Sequence, residues 1–142
     1  MDIKKFENYD RYSECLNIIK NSKEGDILSN DVIYNYVEYL NDKSNIHSYE
    51  DSFIEGDLGK RLDKYEYYKL VRIPIDYLDL DEWERYDDEI DEYQKLYKET
   101  NYYPPIVISH KYSIIDGLHR ANAIANSGEN TILAFVGLKK TK

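Results

Sequence analysis

Between Pro104 and Val136, short apolar runs alternate with one stretch of helical character, and this alternation constrains the fold more than any other feature of the chain. Ile106-Val107-Ile108 and residues 112–115 are too short for helices and rich in β-branched residues. They read as two strands joined by a turn at Ser109-His110-Lys111. Residues 118–127 follow as a helix, with Ala121, Ala123, Ile124 and Ala125 giving it a small, close-packing surface, and Ser127-Gly128 ends it. Residues 131–136 are the last strand. Upstream, YEYYKLVRI at 65–73 is aromatic and β-branched and reads as a strand, with Pro74 at its exit. Between it and Pro104, Trp83, Tyr86, Ile90, Tyr93 and Tyr97 recur at helical spacing and mark one buried face. The order over 65–136 is therefore β-α-β-β-α-β, an α/β (α+β) arrangement with a small mixed sheet, in a chain of 142 residues that fits one compact domain.

The first 64 residues read differently. Ile3, Phe6, Tyr9, Tyr12, Leu16 and Ile19 predict a helix over 2–22, stopped by Gly25. Ser29-Asn30-Asp31 offers cap residues for a second helix with the stripe Ile33, Tyr36, Val37 and Leu40, and 41–52 reads as loop. The expectation is a helical N-terminal extension (1–64) in front of a core (65–142). Cys15 is the only cysteine, which excludes an internal disulfide and a cysteine-based metal site. No apolar run has the length of a membrane span, and the charged start MDIKKFENYDRYSE is not a secretory signal, so a cytoplasmic protein is expected.

Charge is unevenly distributed. Residues 79–92, DLDEWERYDDEIDE, hold nine acids and one arginine, so most of the net charge of -9 sits there. Its plainest meaning is a solvated helix face. Overall acidity opposes broad contact with DNA phosphates. From Tyr103 onward, five Lys or Arg face two acids, a local excess of positive charge compatible with one bound anion.

The chemistry concentrates in SIIDGLHRANA, residues 113–123. A strand that ends in Asp116-Gly117 and opens directly into a helix leaves backbone N–H groups pointing out of the turn, where the helix dipole favours phosphate or carboxylate. Gly117 permits close approach of the backbone, including that of Leu118, to a ligand. Arg120 can grip phosphate oxygens in two-pronged fashion, His119 can donate a hydrogen bond or transfer a proton, and Asp116 can ligate a magnesium ion arriving with a nucleotide. A structural alternative stands beside each role: Asp116 as a helix cap, Gly117 as a turn residue, Arg120 paired with a carboxylate of the acidic helix, His119 as a polar filler.

These pieces, VRIPIDYL (71–78), PPIVI (104–108) and YSIIDGLHRANAIANSGENTILAFV (112–136), resemble the ParB N-terminal / sulfiredoxin-like superfamily over roughly residues 65–137. The resemblance implies a nucleotide-phosphate site at the glycine turn, carried over onto Gly117, His119 and Arg120, with Asp116 matching members that have a DG-H-R turn. Leu118 stands where sulfiredoxin has its reactive cysteine, so cysteine-sulfinic repair is not expected. His119 stands where ParB has an arginine. The chain ends six residues after its last strand, so the helix-turn-helix and dimerisation parts of a partition protein are not expected. Residues 1–64 match nothing in that group; they can cover the sheet, form a partner surface or gate a pocket.

Three functions follow. The first is a nucleotide-binding protein, with ATP, ADP or CTP and Mg2+ as cofactors, that hydrolyses the nucleotide or transfers a phosphoryl group, with Asp116 and His119 as catalytic groups. The second is a non-catalytic acidic interaction or inhibitor protein of phage or mobile-element kind, using 79–92 as a protein-binding or DNA-mimicking face. The third is a ParB-like nuclease. No membrane partner and no direct DNA binding are expected.

Overall fold

The computed structural model describes residues 17–43, 58–80 and 88–139. Cys15, His47, Gly56, Trp83 and Tyr86, and with them most of the first expected helix, most of the 41–52 loop and much of the acidic segment, lie outside these residues. The described elements are β1 (Ile27–Ser29), α1 (Asn30–Lys43), the short helix α2 (Gly59–Leu62), β2 (Tyr67–Pro74), a 3-10 turn (Ile75–Tyr77), α3 (Asp88–Thr100), β3 (Ile106–Ile108), β4 (Ile114–Asp116), α4 (Leu118–Asn126) and β5 (Thr131–Gly137). The expected β-α-β-β-α-β order from β2 to β5 is present.

The strands form one five-stranded mixed sheet in the order β1-β2-β5-β3-β4. β2 runs antiparallel to both β1 and β5, β5 runs parallel to β3, and β3 and β4 are antiparallel. β5, last in sequence, thus sits in the centre, inserted between two hairpin-like halves. β1 is a strand that hydrophobic patterning does not mark. It is three residues long and its existence rests on pairing with Tyr67, Tyr68 and Lys69, extended by the Gly25 N–H donating to Leu70 O and the Leu70 N–H to Asp26 O.

Side chains alternate across the sheet and feed two apolar clusters. On one face Tyr68, Leu70, Val107, Ile115 and Phe135 pack with the α1 stripe of Ile33, Tyr36, Val37 and Leu40 and with Leu62 of α2. On the other, Ile73, Ile106, Ile108, Ile132 and Ala134 pack with Ala121 and Ile124 of α4. The small residues of α4 let that helix lie close to the strands, as its sequence implies. Part of the N-terminal region therefore covers a sheet face. Asn30 fastens it: the side-chain amide donates to Leu62 O and Tyr65 O, both at 3.0 Å, and its N–H to Glu66 O.

Two buried hydroxyls of the first cluster donate to main-chain carbonyls. Tyr68 donates to Leu62 O at 2.6 Å, and Tyr36 to Pro105 O at 2.6 Å. Burial raises the pKa of both above the usual tyrosine value of 10. Below pH 10 both are protonated, folded or unfolded, and the linkage term is fully present. Above it the unfolded chain loses protons that the folded chain retains, and stability falls. The expected loss is about 1.4 kcal/mol per pH unit per tyrosine at first. Urea titrations at pH 8 to 11.5 should show this alkaline decline, and a shallower one in Tyr68→Phe; an equal slope in that variant would contradict the assignment.

Candidate functional site

The Asp116-Gly117 turn joins β4 to α4. Gly117 is the N-cap of α4, in a left-handed conformation with φ +112°, and no side chain caps the helix. Its carbonyl already accepts from the Ala121 N–H at 2.8 Å. The first-turn N–H groups have no acceptor within their own helix, which leaves the turn a concentration of donors. A Cβ on Gly117 would stand 2.6 Å from Ile106 Cγ2 and 2.9 Å from both Ile106 Cβ and Arg120 Nη2. Glycine is required here twice, by backbone conformation and by space.

Arg120 points inward. It is 4% exposed, and Nη2 donates to Asp116 Oδ2 at 3.2 Å and more distantly to Pro105 O at 3.4 Å. The guanidinium carbon lies 5.9 Å from the ring centroid of Tyr93 on α3. Nε is buried and has no hydrogen-bond partner among the described residues. Burial opposes its charge, but Asp116 first, then Tyr36 and Tyr93, outweigh burial and raise its pKa above the usual arginine value. A buried ion pair, Arg120 with Asp116, therefore lies directly behind the uncapped helix start. In this arrangement a two-pronged grip on an outside anion would require the guanidinium to release Asp116.

The other predicted residues are distributed around this centre. Leu118 and His119 form the first turn of α4, both half-buried. Asp116 does not cap the helix; its carboxylate, 14% exposed, turns to Arg120 four residues on. Among the described residues no three of His, Cys, Asp and Glu come together to hold a metal ion. One carboxylate oxygen of Asp116, the residue expected to meet a nucleotide-borne magnesium ion, is engaged by Arg120. His110 lies in the β3–β4 turn, where its Nδ1 is 2.9 Å from the Tyr65 hydroxyl.

Three residues that shape this junction, Tyr36, Pro105 and Arg61, carry no local signal that they meet the Asp116-Gly117 turn. Tyr36 from α1 and the Pro105 carbonyl meet beneath Arg120. Arg61 of α2 donates through Nη2 to Ile114 O at 2.7 Å, bringing a second cation onto the edge strand two residues before Asp116. The double proline at 104–105 was the nearest thing to a clue, since it holds the strand entry extended and leaves carbonyls without the neighbouring N–H.

No family model matches the sequence, and no curated protein matches it. Several solved structures align with about half of the chain. A Pnob8-like ParB-N domain aligns with a TM-score of 0.41 and 18% identity over 49% of this chain and 29% of its own. Sulfiredoxin from Arabidopsis thaliana aligns with 0.42 and 19% over 51% of this chain and 86% of its own. The C-terminally truncated chromosome-partitioning protein ParB from Caulobacter crescentus, complexed with CTP-gamma-S, aligns with 0.41 and 17% over 51% of this chain and 46% of its own. The match spans less than half of either ParB structure. Among the described residues no helix is long and apolar enough to cross a membrane.

Proposed function

We propose that this protein binds a phosphate-bearing small molecule, a nucleotide foremost, over the start of α4. The observation that carries the reading is the junction itself: a left-handed glycine N-cap, uncapped by any side chain, with a buried guanidinium immediately behind it. Backbone donors face the ligand and the helix dipole adds positive potential, while the charge of Arg120 is balanced by Asp116 at 3.2 Å. Gly117 supplies the left-handed turn from which the helix starts, packed on its inner side by Ile106 and Arg120. His119, in the first helical turn, is the group suited to a further hydrogen bond or to proton transfer should phosphoryl chemistry follow binding. Any magnesium ion would depend on the nucleotide for its ligands, because Asp116 is committed to Arg120.

Thermal unfolding in the presence of inorganic pyrophosphate, ATP, CTP and the free nucleosides tests this. The phosphate compounds are expected to raise Tm progressively with concentration, by an amount equivalent to about 2.7 kcal/mol at a hundred times Kd. The nucleosides should have little effect, and His119→Ala should weaken the response. No stabilisation by any phosphate compound at low millimolar concentration, or equal stabilisation by nucleosides, would remove the reading.

A further inference from the structure

We infer that Tyr36, a residue of the N-terminal region, is a positioning residue for the anion site, acting on Arg120 through the Pro105 carbonyl. The inference rests on the phosphate-binding reading and extends it to a residue outside the 65–137 core.

The geometry forms a short relay. The Tyr36 hydroxyl donates to Pro105 O at 2.6 Å, the shorter of the two hydrogen bonds that this oxygen accepts. Arg120 Nη2 approaches the same oxygen at 3.4 Å and Asp116 Oδ2 at 3.2 Å. Nη2 also stands 2.9 Å from where a Gly117 Cβ would be, so its position governs what lies directly under the helix start. Tyr36 is itself held rigidly. It is 4% exposed, and its ring meets Phe135 of the central strand edge-on, with centroids 5.5 Å apart. Burial, opposed by the nearby Arg120, keeps the hydroxyl protonated and therefore a donor. A strong bond from Tyr36 fixes the carbonyl, and the fixed carbonyl, with Asp116 Oδ2, holds Nη2. α1 thus sets the depth of the charge that the phosphate would feel.

Tyr36→Phe deletes the hydroxyl and retains the ring and its packing on Phe135. Tyr68→Phe is the matched control, because it removes another buried hydroxyl donor, whose acceptor, Leu62 O, belongs to α2. Two quantities would be measured on the full chain well below Tm: pyrophosphate affinity by calorimetry, and the 1H–15N resonance of Arg120 Nε–H, assigned by its loss in Arg120→Lys. The expected result is about fivefold weaker pyrophosphate binding in Tyr36→Phe, a displaced or broadened Arg120 resonance, and neither change in Tyr68→Phe. Unaltered affinity with an unmoved resonance in Tyr36→Phe overturns the inference, as do equal affinity losses in both variants, which would indicate general loosening. If the parent protein does not bind pyrophosphate, the phosphate reading fails and a site-positioning role fails with it. A resonance still moved by Tyr36→Phe would then show that the relay to Arg120 is real and that only its purpose was misassigned.

Discussion

Gly117→Ala is expected to lose about 2–5 kcal/mol of stability and most of its pyrophosphate affinity together. At φ +112° an L-residue carries a backbone penalty of roughly 1–2 kcal/mol. The added Cβ would also press on Ile106 at 2.6 Å and on Arg120 Nη2 at 2.9 Å. Ile106 is fully buried in the central part of the sheet and cannot withdraw, so overpacking adds about 1–3 kcal/mol. Relief would come from moving the turn, which would reorient the N–H groups at the start of α4. Gly128→Ala separates the two costs. Its φ is +91°, but nothing lies within 4 Å of its missing Cβ, so about 1 kcal/mol and no change in binding are expected. Urea unfolding and calorimetry on both variants make the comparison. If Gly117→Ala were no worse than Gly128→Ala, the close packing of the turn against Ile106 and Arg120 would be refuted.

The second large effect concerns Asp116. Asp116→Asn leaves the Arg120 guanidinium buried without its counter-charge, and removing one partner from a buried pair costs about 3–5 kcal/mol. The same change deletes a negative charge next to the helix start, so anion affinity should increase, most clearly at low salt. Loss of stability with gain of affinity is a combination that general damage to the fold does not produce. Arg120→Met should likewise destabilise, and the double variant Asp116→Asn/Arg120→Met should recover much of the loss, because an uncharged pair of similar size no longer buries an unmatched charge. Additive losses in the double variant, or an affinity that falls in Asp116→Asn, would show that the two side chains do not act on each other as their 3.2 Å contact implies.

Much of the framework is legible in short stretches. The strand runs at 106–108 and 131–136, the helix that opens at Leu118 and the buried stripe Ile33, Tyr36, Val37 and Leu40 all follow from side-chain periodicity, a property each segment carries by itself. The glycine turn was visible for the same reason, since Asp-Gly between a β-branched run and a helical stretch has few conformations open to it. β1 was not visible. Three residues have no period, and only the partner strand defines them.

The direction taken by Arg120 marks the boundary between the two kinds of information. Sequence alone established that a cation stands one turn into a helix that begins at a glycine, and that aspartate and histidine flank it. Both an outward grip on an anion and an inward ion pair satisfy that local description. The tertiary structure decided for the inward position: with α4 packed in the cluster of Ile106 and Ile132, the guanidinium meets Asp116, the Pro105 carbonyl and the ring of Tyr93. Periodicity encodes which face of a segment is buried. What that face meets depends on chain topology, and here residues from α1, α3 and the β3 entry, up to 84 positions apart between Tyr36 and Arg120, converge on one guanidinium.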